Sequence, residues 1–211
     1  MNELLQQKQS TALLKGFADA GWLQNFVPYY STEESTSYQM TTGITMWNGQ
    51  VEKNCKLANP GWEWFGFSLL FLPLILLIFF QLHRLCYFSP FAYPYIKTPI
   101  FIQTEQFDTY QVTTNCQNPP FDPAEWEYVQ TIRTAFISSL QNMVNGVNSF
   151  YSAACFHHCS SEDFSYNTIL INGNSLSTVL SNWFYDQPGV SRAMDFCQGF
   201  NCSVGCPQAP Y

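Results

Sequence analysis

The chain has 211 residues, which is enough for one hydrophobic core or for part of a larger domain. Its side chains are 46% hydrophobic and 11% charged, which excludes a disordered tail. The net charge is −7 with no basic run, so we expect no nucleic-acid partner.

Eight cysteines, several of them in loop-like segments rich in Pro, Gly and Asn, indicate a disulfide framework formed in an oxidising compartment. The sequence begins without the basic and apolar regions of a signal peptide. We therefore expect a secreted type of protein whose N-terminal part is absent from this sequence.

The first segment, residues 1–64, contains a short apolar stretch at 12–18 followed by a turn-like stretch at 19–22. Residues 41–47 are predicted to form one or two helical turns, because Asn48-Gly49 directly after them is a strong turn signal. The apolar stretch at 12–18 is expected to join the same sheet as the strand at 100–102.

Residues 65–82 form an uncharged apolar run, interrupted by Pro73, at the lower limit of length for a membrane-spanning helix. A bilayer at this point would place residues 1–64 and 85–211 on opposite sides, which contradicts a shared sheet. Three interpretations stay open: a membrane span, a buried core segment, or an insertion foreign to the fold. We favour the insertion.

From residue 98 the pattern is that of an α/β protein. Residues 98–102 read as a buried strand, and Asp108 lies just beyond it. Asp122, Pro123 and Glu125 together predict a helix start with a capping box. The predicted apolar stripe, which ends near Gly146 and Asn148, comprises Val129, Ile132, Phe136, Leu140, Met143, Val144 and Val147.

A second short strand at 149–154 leads directly into the segment CFHHC, residues 155–159. Functional groups of parallel sheets gather where strands end, so Asp108 and His158 are expected at one edge. The α/β-hydrolase triad follows the order Ser, Asp, His, and the last two are in that order here.

Three interpretations of CFHHC compete. A zinc site has the right ligand types, but four ligands within five residues are too crowded for the usual spacing. A structural corner pinned by disulfides fits both cysteines and His157. A catalytic base fits His158. We predict neither a metal ion nor a cofactor.

Several blocks of the sequence are similar to those of one family, in the same order and at similar spacing. The chain resembles the pectin acetylesterase/Notum family of α/β-hydrolase-type carboxylesterases. The matching blocks are KGFADAGW (15–22), GITMWNGQVEKNC (43–55), LCYFSPFAYPYIKTPIFIQTEQFDTYQV (85–112), ACFHHC (154–159), NWFYD (182–186) and CSVGCP (202–207).

The resemblance implies an ester hydrolase whose triad acid is Asp108 and whose base is His158. It also implies substrate-binding aromatic residues at Tyr87 and Phe88, with Trp22 as a further candidate. Ordinary core packing is an equal alternative for Tyr87 and Phe88. The implied substrate is an acylated polysaccharide or a lipidated protein, and the implied location is extracellular or secretory.

Two features depart from the family pattern. The serine of its G-x-S-A-G-G elbow has no counterpart here, and the decoy GNSLS at 173–177 lacks the final glycine and follows the base. Residues 65–84 are additional, and their flanking Cys55 and Cys86 are the expected disulfide pair.

We therefore interpret the fold as an incomplete α/β-hydrolase-like sheet, the C-terminal half, with an apolar helix-like insert at 65–84. Residues 1–64 and 85–211 form the family domain. The alternative function is a non-catalytic Cys-rich secreted or single-pass membrane protein derived from the same family.

Overall fold

Four parallel strands form the central sheet of the computed structural model, which describes residues 12–30, 35–47, 49–59, 83–116, 122–143 and 147–208. In chain order the strands are β1 Gly16–Asp19, β2 Ile100–Gln103, β3 Ser149–Ser152, β4 Leu170–Ile171, β5 Asn174–Ser175 and β6 Ala193–Met194. The sheet has the order β1-β2-β3-β6, and β4 and β5 form a separate antiparallel hairpin.

The apolar stretch at 12–18 and the strand at 100–102 lie in one sheet, as predicted. Strand β1 pairs with β2 in parallel, with Gly16 opposite Ile100. Strand β2 pairs with β3 in parallel, with Phe101 opposite Ser149. All three strands therefore end at the same edge.

Helices cover both faces of this sheet, as in a three-layer α/β fold. The α-helices are α1 Thr36–Trp47, α2 Lys53–Ala58, α3 Ser89–Ala92, α4 Thr109–Cys116, α5 Pro123–Gln141, α6 Ser165–Thr168 and α7 Leu176–Phe184. The longest, α5, packs on one face through Ile132 and Phe136, which contact Ile102. On the other face, α7 packs through Val179 against Phe101.

Short 3₁₀ turns connect several of these elements. They span His83–Tyr87, Tyr93–Tyr95 and Ser160–Glu162.

Helix α5 begins as the sequence predicts. The Asp122 carboxylate accepts hydrogen bonds from the backbone N–H groups of Ala124 at 2.8 Å and Glu125 at 2.9 Å. The predicted end at 146–148 is wrong, because the helix stops at Gln141. The chain turns at Asn142, which allows it to return for strand β3, and the stripe does not continue to Val147, which is 59% exposed.

The first helix is longer than predicted. Helix α1 begins at Thr36 rather than at Thr41 and ends at Trp47. The hydroxyl of Ser35 accepts a hydrogen bond from the backbone N–H of Tyr38 at 3.2 Å, which is the bond of a capping serine. This Ser-Thr start was the signal that the prediction missed.

Three disulfides join the described part of the chain, and the predicted pair Cys55–Cys86 is confirmed. The others are Cys155–Cys206 and Cys197–Cys202. Cys116 and Cys159 are free thiols.

The apolar run at 65–82, which is most of the predicted insert, lies outside the described residues. Among the residues that are described, none of the helices has the length and apolar character needed to cross a bilayer. The division of the chain into 1–64, 65–84 and 85–211 stays a prediction.

The packing of α5 on the sheet is testable with Phe136→Ala. Phe136 is fully buried between the helix and the sheet, so truncation is expected to cost about 3–5 kcal/mol of the free energy of unfolding. The matched control is Thr134→Ala on the exposed side of the same helix, expected to change it by less than about 0.5 kcal/mol. Urea unfolding of both variants is the measurement, and equal losses would contradict this packing.

Candidate active site

The loops after strands β2 and β3 run side by side and carry Asp108 and His158. Backbone hydrogen bonds continue the strand pairing beyond the sheet, from the N–H of Gln106 to the carbonyl of Ala153 at 2.8 Å. A further bond runs from the N–H of Thr109 to the carbonyl of His157 at 3.0 Å. These bonds fix the two loops against each other.

Asp108 and His158 are directly hydrogen-bonded. The Nδ1 atom of His158 lies 2.6 Å from Oδ2 of Asp108. The other carboxylate oxygen accepts the backbone N–H of Gln111 at 2.8 Å, in the first turn of α4. Asp108 is fully buried, whereas the His158 side chain is 33% exposed. Because Nδ1 is engaged, Nε2 is the ring nitrogen left to exchange a proton.

The surroundings of His158 favour its protonated form. The hydrogen bond to Asp108 raises the pKa of His158 above its usual value, although burial opposes this shift. The negative charges of Asp108, Asp19 and Glu162 add to the increase. A raised pKa is the property of a histidine that accepts a proton and holds it as imidazolium.

The two adjacent histidines have different environments. His157 Nε2 lies 3.1 Å from Oδ2 of Asp163, and its backbone carbonyl joins the loop to α4. Only His158 contacts Asp108. His158 is therefore paired with a buried carboxyl group, whereas His157 is paired with a half-exposed one.

The C-terminal segment holds the ACFHHC loop from its other side. Asn201 Oδ1 accepts the backbone N–H of Phe156 at 2.9 Å, and Ser203 Oγ accepts that of Ala154 at 2.7 Å. The disulfide Cys155–Cys206 closes the same contact covalently. Because the Cys155 sulfur is bonded to carbon and sulfur only, the zinc interpretation of CFHHC loses one of its four donors.

The part of the chain that the structure describes contains no cluster of three or more His, Cys, Asp or Glu side chains arranged to hold a metal ion. The remaining cysteine of the segment, Cys159, is a thiol whose pKa burial raises to about 11.

A cavity of about 360 Å³ has Tyr110, two residues after Asp108, in its lining. The Tyr110 ring stands 5.7 Å from the His158 ring, centroid to centroid, and its hydroxyl donates to Gln39 at 2.6 Å. The hydroxyl oxygen of Tyr87 is buried without a hydrogen-bond partner among the described residues. The lining consists of Gln39, Met40, Gly43, Ile44, Trp47, Gly49, Tyr87 and Tyr110.

The three predicted substrate-binding residues do not meet in this cavity. Tyr87 lines it. Phe88 is fully buried, and Trp22 packs edge-on against Tyr93 while its Nε1 donates to Ser139 at 2.8 Å. Phe88 and Trp22 are thus packed as core residues are, and a substrate-binding role for any of the three stays a prediction.

A model of the family described as pectinacetylesterase matches residues 1–207 of this chain. The chain belongs to the pectin acetylesterase family. It is 24% identical to palmitoleoyl-protein carboxylesterase notum1a of Danio rerio, over 98% of this chain and 41% of that protein. It is 24% identical to the Drosophila melanogaster palmitoleoyl-protein carboxylesterase NOTUM, over 85% of this chain and 23% of that protein.

The crystal structure of the Wnt deacylase Notum from Drosophila superimposes with a TM-score of 0.78 at 22% identity, over 98% of this chain and 52% of the other. The α/β-hydrolase-like fold predicted from the sequence is confirmed by this likeness. The chain spans about half or less of the length of these members of the pectin acetylesterase and Notum-type carboxylesterase family.

Sequence reasoning missed Glu105, which lies between strand β2 and Asp108. It is fully buried, and burial together with the charges of Asp108 and Asp19 raises its pKa to about 8, against the opposing effect of its hydrogen bonds to Ser160 and Gln103. The available signal was a glutamate two residues beyond a buried strand.

The segment GNSLS, which resembles half of a serine elbow, forms the start of helix α7. Ser175 is the N-cap of helix α7 and accepts the N–H of Thr178 at 3.3 Å. Ser177 donates to Asn167 at 2.6 Å.

The contact between Asp108 and His158 is testable with Asp108→Asn. An amide carries no charge, so the pKa of His158 is expected to fall toward its usual value of about 6.5. Histidine NMR titration measures this pKa. The control is Asp163→Asn, which removes the charge beside His157 and is expected to leave the pKa of His158 in place. A pKa of His158 that does not move in Asp108→Asn contradicts the contact.

The same pair makes stability depend on pH. Because the folded-state pKa of His158 is raised, the stabilisation is fully present below about pH 6.5 and is lost as pH rises through the folded pKa. The stability difference between the wild type and Asp108→Asn is therefore expected to shrink with increasing pH.

Proposed function

We propose that this chain contributes the acid and the base of a serine carboxylesterase, with Asp108 as the acid and His158 as the base. The observation that carries this proposal is the 2.6 Å contact between a fully buried carboxylate and a partly exposed imidazole, beyond the carboxyl ends of two parallel strands. Membership of the pectin acetylesterase family supports it.

In the proposed reaction, the serine Oγ attacks the ester carbonyl carbon while Nε2 of His158 takes the serine proton. The proton then passes to the departing alcohol as the ester C–O bond breaks, leaving an acyl-enzyme. Water, deprotonated by the same nitrogen, then attacks the acyl carbon. The bond between the acyl carbon and the serine Oγ breaks as Nε2 returns the proton to Oγ, which releases the carboxylic acid and restores the free serine and the neutral imidazole. Asp108 stays ionised throughout and stabilises the imidazolium.

The proposed nucleophile lies outside these 211 residues. No G-x-S-x-G elbow occurs in the sequence, and of the two serines of GNSLS, Ser175 caps a helix and Ser177 donates to Asn167. The chain corresponds to 41% of the zebrafish relative, which leaves room for the serine elbow and the oxyanion donors in a longer protein. We propose that this chain is the C-terminal portion of such an enzyme.

The cavity beside Tyr110 favours a fatty acyl ester over an acetyl ester as the substrate. An acetyl group is too small to fill a largely apolar cavity of about 360 Å³, whereas a medium-length acyl chain fills it. The curated relatives named above are palmitoleoyl-protein carboxylesterases. We therefore propose a lipidated protein as the substrate, with an acetylated polysaccharide as the alternative.

An extracellular or secretory location belongs to the same proposal. The described part of the chain contains three disulfides, and disulfides are typical of proteins in oxidising compartments.

The first test compares His158→Gln with His157→Gln in the complete translated protein, including any in-frame sequence upstream. Loss of the base is expected to lower kcat for p-nitrophenyl ester hydrolysis by about 10⁴-fold. His157→Gln is the matched control, because it changes the neighbouring ring without touching Asp108, and its effect is expected to stay within a few-fold. Equal activity of the two variants would exclude His158 as the base, and a complete protein without esterase activity would favour the non-catalytic alternative.

The second test concerns acyl length. Burying three of the six additional methylenes of an octanoyl ester is worth about 2.4 kcal/mol, or about 60-fold in kcat/KM over the acetyl ester. Ile44→Trp, which fills the cavity, is expected to remove this preference while sparing acetyl ester hydrolysis. Leu57→Trp on exposed α2 is the control. A wild type that prefers the acetyl ester would support the polysaccharide alternative.

A further inference from the structure

Glu105 has no task in the proposed reaction, although it is a fully buried carboxyl close to it. Isolated buried carboxyl groups are costly, and they are retained where they make specific hydrogen bonds. The contacts of Glu105 therefore show what it does in this fold.

Glu105 is the central link in a chain of hydrogen bonds that crosses the end of the sheet. Its Oε1 accepts from Nε2 of Gln103 at 2.7 Å and from the hydroxyl of Ser160. The other end of Gln103 accepts the backbone N–H of Ala20 at 2.9 Å. Three segments are joined in this way: the end of β1, the end of β2 and the loop that follows His158.

Ser160 lies two residues after His158 and begins the 3₁₀ turn Ser160–Glu162. Between them, Cys159 has a positive φ of 51°, a conformation that non-glycine residues rarely adopt and that its surroundings must maintain. A second hydrogen bond from the same turn helps to hold this conformation, because the Ser161 hydroxyl donates to Oδ2 of Asp19.

The protonation of Glu105 is consistent with this link. Burial and the neighbouring charges of Asp108 and Asp19 raise its pKa to about 8, which favours the neutral carboxyl at pH 7. Oε1 accepts two hydrogen bonds, whereas Oε2 has no partner among the described residues and is the oxygen available to carry the proton. Tyr151 of strand β3 is the third titratable group that interacts with it electrostatically. A neutral Glu105 sits near Asp108 without repelling it.

We propose that Glu105 is a positioning residue for His158: by accepting the Ser160 hydroxyl, its carboxyl anchors the histidine loop to strand β2 and keeps the imidazole on Asp108. The inference rests on the proposed function only in calling His158 the base. The anchoring itself is a property of the fold and is measurable without an ester substrate.

The test compares Glu105→Gln with Glu105→Ala in the full chain by NMR titration of its histidines. The amide is isosteric with a neutral carboxyl and still accepts from Ser160, so the pKa of His158 is expected to stay at the wild-type value. Alanine leaves the Ser160 hydroxyl without its acceptor and frees the loop. The pKa of His158 is then expected to fall toward about 6.5.

Glu125→Ala is the matched control for general destabilisation. Glu125 is a buried carboxylate in the capping box of α5, and its loss weakens the fold away from the histidine loop. It is expected to leave the pKa of His158 unchanged. If Glu105→Ala does not fold, Ser160→Ala decides, because it removes only the loop end of the link and is expected to lower the same pKa.

The pH dependence of stability supplies a second readout. The unfolded chain releases the proton of Glu105 near pH 4.3, whereas the folded protein holds it to about pH 8. Between these values the folded state binds more protons, so the wild type loses stability as pH rises. Glu105→Gln is expected to remove this loss.

In an active complete enzyme, Glu105→Ala is expected to lower kcat by about 10²-fold with little change in KM, as for a misplaced catalytic group. Glu105→Gln is expected to keep kcat at the wild-type value.

The inference is overturned if Glu105→Ala, or in its place Ser160→Ala, leaves the pKa of His158 at the wild-type value. It is also overturned if Glu105→Gln lowers that pKa as alanine does. Asp108→Asn distinguishes failure of this inference from failure of the proposed function. If the pKa of His158 does not change in Asp108→Asn, the contact between Asp108 and His158 is absent and the proposed function fails as well.

Discussion

The parallel pairing of β1, β2 and β3 is the constraint on which the rest of this structure depends. Parallel neighbours end at the same edge of a sheet, so the loops that follow them must meet there. The pairing extends past the strands, through the bond between Gln106 and Ala153, into the loops themselves. Asp108 and His158, fifty positions apart, become direct partners for this reason.

The same edge gathers three carboxyl groups whose environments differ. Asp108 accepts hydrogen bonds from His158 and from the backbone of α4. Asp19 accepts from Ser161. Glu105 is buried close to both, and burial raises its pKa to about 8. Asp108 contacts an imidazole, whereas Glu105 contacts only neutral hydrogen-bond donors, and burial disfavours the charged form of a carboxyl that has no cation beside it.

Particular elements show how far sequence reasoning reached. The start of α5 was predictable because Asp122, Pro123 and Glu125 form a capping box from local contacts alone. Its end was not, since the chain turns at Asn142 to bring strand β3 beside β2, and that demand is tertiary. Core and pocket aromatics look alike in a sequence. Only the structure separates Phe88, which is fully buried, from Tyr87, which lines the cavity.

The sequence by itself determined the α/β class, the family, the capping of α5 and the identity of the two loops that carry Asp108 and His158. Strands, helix caps and family motifs can be recognised in this way because each depends on residues that are neighbours along the chain. The family blocks also pointed to His158 rather than His157 as the partner of Asp108, and the two side chains are in contact in the structure. Tertiary structure alone decided that Glu105 joins Gln103 to Ser160 and that a cavity opens beside Tyr110. These are contacts between segments distant along the chain. No local pattern encodes them, since they depend on how the strands pair and on what the paired strands bury.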